Sequence, residues 1–336
     1  SAPYSLWILI KGLFKYSKSL VIVLSCLSKD IPVSQFPAKL VLELRSLTRK
    51  YYDLTDERSA HINKLKGDLH TVFPQYLDVF CDVTGKTSTM ILRQYGTPDK
   101  ILRGHKKTMI EKISKASRKG LAKASERYEK LCAAANAAKT FGCQIDSIYF
   151  NIFLTLDLVE KLDSALDSIL NRIRQLITFN KNEKFIQQIK LLNTIPGVGF
   201  LTAVTIMCEI GDFSAFRNPK QLFAYFGLDP EVNESGKFVG TQLHMSKRGS
   251  RIARRAIFAV ALASIRTKRN GEGINPYLRK YYELKSGQKP KMVAIGAVMH
   301  KVCNIVFAVL RDEKAFELRS PEEHCKQYQR PALAAA

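Results

Sequence analysis

The run LLNTIPGVGFLTAVTIMCEIGDF, Leu191 to Phe213, sets two apolar helical patterns on either side of Pro196-Gly197-Val198-Gly199, with no space for an ordinary loop. Pro196 cannot continue the backbone ladder, so it ends the first helix. The two glycines reach conformations closed to other residues, and a second helix begins near Phe200 or Leu201. Its first turn leaves N–H groups without an intrahelical partner and carries the positive end of the helix dipole. With the amides of Gly197, Val198 and Gly199 added, the turn offers a nest for a phosphate oxygen. This is the physics of a helix-hairpin-helix, which grips a nucleic-acid backbone without reading its sequence. Taken alone, the same letters also fit a plain αα-hairpin whose glycines serve close packing.

The next motif decides between those readings. NESGKFVGTQLHMSKRGSRIARRAIF runs from Asn233 to Phe258. Asn233 to Gly236 is turn chemistry, and Lys237 to Thr241 reads as a short extended piece. Ser246 or Ser250 then caps a helix whose apolar side is Ile252, Ala256, Ala259, Val260 and Ala263. Lys247, Arg248, Arg251, Arg254 and Arg255 place five cations within nine residues. No acidic residue follows them at helix-pairing spacing, so they and Lys237 are expected to hold phosphates. Ser235 on its own is a turn serine. It becomes a nucleophile only where something eases removal of its proton and stabilises the oxyanion, and no His–Asp partner is visible.

The bulk numbers agree with a polyanionic partner. The 336 residues carry 53 Lys+Arg against 30 Asp+Glu, a net charge of +23, and 46% hydrophobic residues are ample for packed cores. Seven scattered cysteines without a C-x-x-C, and six dispersed histidines, exclude a disulfide framework and a zinc site and fit reduced, cytoplasmic thiols. The apolar N-terminus is interrupted by Lys11, Lys15 and Lys18, so no run reaches the roughly 18 residues of a membrane span. It does not have the order of a signal peptide either. It reads as part of a domain whose beginning is missing.

The remainder is helical. From Leu40 to Leu69, positions 40, 44, 47, 51, 54, 58, 62, 65 and 69 recur at steps of three and four, Arg58 being the one polar member. Phe73-Pro74 ends that helix, Thr97-Pro98 or Asp99 starts another, and residues 103–139 are rich in Lys and Ala. Ile145, Ile148, Ile152, Val159, Leu162, Leu166, Ile169, Ile173 and Leu176 form a sustained seam broken by Thr155, the signature of a coiled coil over 145–177. Asp157, Glu160, Asp163 and Asp167 flank the seam and read as a solvated face. The expected fold is mainly α: long helices with a coiled coil in 37–185, a compact helical C-terminal domain in 186–320, and a polar tail in 321–336.

Five ordered blocks now resemble one family. LLNTIPGVGFLTA, EIGDFSAFRNPKQLFAYFGLDPEVNESGKFVGT, MSKRGSRIARRAIF, NPYLRKYYELK and KMVAIGAVMHKVCNIVFAVLRD are similar, in that order, to the C-terminal domain of the insertion-sequence-110 family of transposases. LTDERSAHINKLKGDLHTVFPQY resembles the same family. The resemblance implies a DNA transposase or recombinase in which a RuvC-like DEDD nuclease domain joins this domain through a coiled coil that assembles a homo-oligomer. It implies that Ser235, in the E-S-G turn, attacks a DNA phosphodiester to give a covalent phosphoserine. Mg²⁺ ions held by four acids would assist, and some members use a structured guide RNA.

One departure stands out. The family's G-I-D-x-S strand, later Glu and K-T-D-x-x-D-A are not in this sequence, so Mg²⁺ is implied without ligands. Asp53 and Asp56 have the spacing of the last pair but lie in the helix that follows it, and are not assigned as ligands. Residues 1–36 are expected to be the remnant of a truncated RuvC-like domain, and the chain alone to bind nucleic acid without cutting it. The alternative is a catalytically inactive binding remnant or regulator. A third reading, an unrelated helix-hairpin-helix repair or RNA-binding protein, gives Ser235 no role. The expected location is the cytoplasm, at the nucleoid.

Overall fold

Two 34-residue helices, α1 (Lys39–Val72) and α7 (Asp146–Phe179), each about 51 Å long, run antiparallel. Arg58 of α1 pairs with Asp163 of α7, and the Tyr149 hydroxyl donates to the Val72 carbonyl at 3.4 Å. Both contacts fall fourteen residues further along, in opposite directions, on the two helices. The computed structural model describes residues 38–231 and 245–320, apart from Gly142 and Gln144, with the pairs 234–235, 238–239 and 322–323. Residues 1–36, Lys237 and the rest of the tail lie outside the described residues.

The α7 seam turns inward within the chain. Ile152, Thr155, Val159, Leu166, Ile173 and Leu176 are buried alongside α1, whose own Leu44, Leu54, Leu65 and Leu69 are buried too. The seam assigned above to a coil between protomers is therefore occupied inside one chain. Arg58, the polar member of the α1 pattern, meets Asp163 where the two stripes pass. The α7 acids keep to a solvated face, about half exposed, and within it Asp157 and Glu160 also take Arg93 at 2.6 and 2.9 Å. A second α7 stripe, Phe150, Leu154 and Leu158, is exposed.

Each long helix gives one end to each of two cores. The first core gathers the α1 C-terminus and the α7 N-terminus around α2 (Tyr76–Val79), α3 (Lys86–Gln94), α4 (Pro98–Arg103), α5 (Lys106–Ser117) and α6 (Leu121–Phe141). Phe73, Tyr76, Ile91, Met109, Ile113 and Leu131 are fully buried there. Thr97 caps α4 with Pro98 at its first position, which settles where that helix starts.

The second core takes Leu44 of α1 and Ile173 and Leu176 of α7. Around them pack α8 (Lys184–Leu192), α9 (Phe200–Ile210), α10 (Pro219–Tyr225), α11 (Arg251–Ile265), α12 (Pro276–Ser286) and α13 (Lys291–Asp312). Asn218-Pro219 and Asn275-Pro276 repeat the cap-and-proline start at α10 and α12. α13 packs against α8, α10, α11 and α12 and is the spine of this core. It is the one described helix long and apolar enough to cross a membrane by length and composition. Val298, Val302, Cys303 and Val306 are fully buried in the core, each such side chain contributing about 2 kcal/mol. The only described sheet is a hairpin, β1 (Glu234–Ser235) antiparallel to β2 (Phe238–Val239), with Ser235 opposite Phe238.

Candidate nucleic-acid interface

The hairpin carrying Ser235 leaves the second core through a narrow neck. Pro230 bridges Met245 in antiparallel fashion, the Ser246 N–H donates to the Asp229 carbonyl at 2.8 Å, and the Lys247 N–H donates to the Gly227 carbonyl at 3.0 Å. The Ser246 hydroxyl adds a 2.6 Å bond to Asp229. The two strands of the neck cross backbone against backbone. A Cβ on Gly249 would lie 2.0 Å from the Tyr225 carbonyl, and Gly227, at φ +65°, faces the Gly249 nitrogen at 2.4 Å from an ideal Cβ. Only glycine fits at either place.

Arg254 locks this crossing. One of its nitrogens, Nη1, reaches the carbonyls of Phe226, Lys247 and Gly249 at 3.2, 3.1 and 2.7 Å. Ser250 resolves the capping alternative: its Oγ accepts from the Ala253 N–H at 3.1 Å and starts α11. The same hydroxyl donates to Glu209 Oε2 at 2.8 Å. Glu209, on α9, is 3% exposed and takes both arms of Arg49 from α1 at 2.8 Å. Burial pushes the Glu209 carboxyl up, but the Arg49 and Ser250 hydrogen bonds outweigh it and hold the group below its ordinary range. Arg45 donates to the Cys208 carbonyl at 2.7 Å and the Tyr225 hydroxyl to the Glu209 carbonyl at 3.0 Å. Burial drives the Cys208 thiol up to about 12, so it is a packing group and not a reactive one.

The cations divide into two kinds. Lys247, Arg248 and Arg251 are exposed. Arg255 is bound: it meets Asp56 of α1 at 2.7 Å and lies over the Tyr52 ring at 4.8 Å. Arg251 also faces Asp56, at 3.9 Å. The acidic partner absent from the residues following the arginines thus arrives from far upstream.

The Gly-x-Gly turn joins α8 to α9. Gly197 sits at φ +95°, where a Cβ would come 2.6 Å from Ser264 Oγ, and that hydroxyl donates to the Pro196 carbonyl at 3.0 Å. Gly199 is exposed at the N-cap of α9, whereas the Val198 side chain is buried in the core. Ser264 lies near the α11 C-terminus and the arginines at its start, so the turn and the cation cluster stand about 20 Å apart along α11. They are two places, not one. Ser235 lies on β1, and its only described relations are those of the backbone register.

The described residues hold no group of three or more His, Cys, Asp or Glu able to take a metal ion. Asp53 and Asp56 line one pocket as a pair of carboxylates with no third acid and with Arg49, Arg251 and Arg255 around them, so this donor set does not fit Mg²⁺.

Sequence reasoning missed Glu209, Arg45, Arg49, Tyr52 and Asp56 as organisers of the site. Glu209 had a signal, a lone acid inside the apolar run of α9. Asp56 had none.

Residues 189–283 match the pattern of the transposase IS116/IS110/IS902 family. The chain is similar to the 43.6 kDa protein of insertion element IS110 from Streptomyces coelicolor, 23% identical over 84% of this chain and 66% of that protein. It is 30% identical to the pilin gene-inverting protein of Moraxella bovis over 52% of each chain. It is 26% identical to the transposase of IS1111A from Coxiella burnetii over 54% of this chain and 50% of that one. The chain thus spans about half to two thirds of the length of these relatives.

Proposed function

We propose that this chain serves a DNA recombinase of an insertion sequence in which Ser235 is the nucleophile. Ser235 Oγ attacks the phosphorus and its proton leaves; the P–O3′ bond breaks and the 3′ oxygen departs as a hydroxyl on taking a proton. The new O–P bond conserves the phosphodiester energy for strand exchange. What supports this reading is the neck from which the Ser235 segment departs: Arg254 and two close-packed glycines brace its two strands, next to the exposed Lys247, Arg248 and Arg251. Those cations neutralise phosphates at one end of α11. At the other end the Val198 N–H is taken by the Ile195 carbonyl at 2.9 Å, which leaves the Gly197 and Gly199 amides with the first turn of α9 to meet a phosphate about six base-pair steps of duplex away.

DNA is the partner this reading requires, in the cytoplasm and at the nucleoid. A structured guide RNA would use the same backbone chemistry. Self-association would use the outer α7 stripe of Phe150, Leu154 and Leu158, since the inner seam is already covered.

The test is a denaturing gel of the intact transposase with DNA carrying its element ends. The wild type forms a protein–DNA adduct; Ser235→Ala forms none and binds with near-normal affinity. An undiminished adduct in the variant rules out Ser235. A wild type that binds DNA and gives no adduct is a binding regulator.

A further inference from the structure

Beside the neck, between α11 and α13, the surface opens into a groove of about 580 Å³. Met245, Phe258, Met292 and Met299 form its apolar wall, and Arg251 and Arg255 its charged rim. Three of the chain's six methionines line this one groove: Met299 is the buried core floor, Met245 packs against that core, and Met292 faces outward. Met292 is 66% exposed on the first turn of α13, next to Val293 at 52%, where a solvated helix would carry polar residues. Met245 is also the residue at which the Ser235 excursion rejoins the neck.

We infer that the groove receives an unstacked nucleobase from a strand whose phosphate sits on Arg251 and Arg255. The inference rests on the reading above that the neck meets nucleic acid. Thioether and phenyl groups are polarisable and take a flat π-face without demanding hydrogen bonds. Among the described lining residues the charged side chains are Arg251, Arg254 and Arg255 against Asp56 alone, a balance that suits an anion with apolar rings. Asp56 is the counter-ion that the incoming phosphate displaces from Arg255. Drawing a base out costs its stacking, and enzymes that act on a strand offset such extrusion with contacts of this kind.

The experiment compares two labelled single strands of equal length by fluorescence anisotropy, an oligothymidylate and the same chain of abasic sugars. The wild type binds the base-bearing strand about tenfold more tightly. Met292→Ala, at an exposed helical position that tolerates alanine, narrows this preference at least threefold without changing affinity for the abasic strand. Met292→Leu keeps the preference. Equal wild-type binding of the two strands overturns the groove and leaves the phosphate grip standing. A preference that survives Met292→Ala and Phe258→Leu together places the base elsewhere and overturns it too. Binding of neither strand removes the nucleic-acid reading itself, and the groove assignment with it.

Discussion

Arg49 holds both carboxylate oxygens of Glu209, each at 2.8 Å, across 160 residues of sequence. The pair ties α1 to α9, and through Ser250 it also fixes the start of α11. Three helices therefore meet at one buried carboxylate.

Replacing Glu209 by Gln removes the ionic partner of Arg49, which is half exposed and rehydrates in part. A loss of about 2 kcal/mol is expected in urea unfolding, below the full range for a wholly buried pair. The pH dependence has a definite sign. The folded carboxyl titrates below its ordinary value of 4.5, so its stabilisation is complete above that value and vanishes as pH falls through the folded one. Glu209→Gln should lack that part of the acid limb.

Arg58 and Asp163 join α1 to α7 midway between the two cores. Both side chains are partly exposed, so a double-mutant cycle with Arg58→Met and Asp163→Asn should give a coupling of about 0.5–1 kcal/mol. A coupling near zero would assign the helix pairing to its apolar stripes alone.

Asp56→Asn releases Arg255 from its 2.7 Å partner. If Arg255 then reaches a phosphate, DNA affinity rises severalfold at low salt. The slope of log affinity against log salt also steepens by up to about 0.9. Filter binding across a salt series measures both.

Arg251 and Arg254 stand three residues apart and should fail differently. Arg251→Gln removes an exposed cation, weakening binding across all sequences and flattening the salt slope while the fold is kept. Arg254→Gln frees three carbonyls of the neck, so it should lower thermal stability and abolish the covalent adduct. Charge reversal at Arg254 would therefore report on the fold as well as on binding.

Gly249→Ala puts a methyl 2.0 Å from the Tyr225 carbonyl, a clash only backbone movement can relieve. A destabilisation of about 3 kcal/mol is expected in chemical unfolding. Gly199→Ala, with nothing within 4 Å, should fold normally.

What the sequence determined by itself is local. Periodicity over a few turns and the cap-and-proline pairs at Thr97, Asn218 and Asn275 set the helices, because caps and helix faces depend on residues within about four positions. The Gly197-Val198-Gly199 turn and the cations of 247–255 were visible for the same reason. Only the tertiary structure decided which of those cations face solvent. Arg254 and Arg255 look alike in sequence, yet one holds the neck and the other meets Asp56 on a helix from the opposite end of the chain. It likewise decided that the α7 seam is covered within the chain, since an apolar stripe specifies that something must bury it and not which helix does so. An ion pair or a buried seam depends on how helices far apart in sequence pack, and no local spacing encodes that.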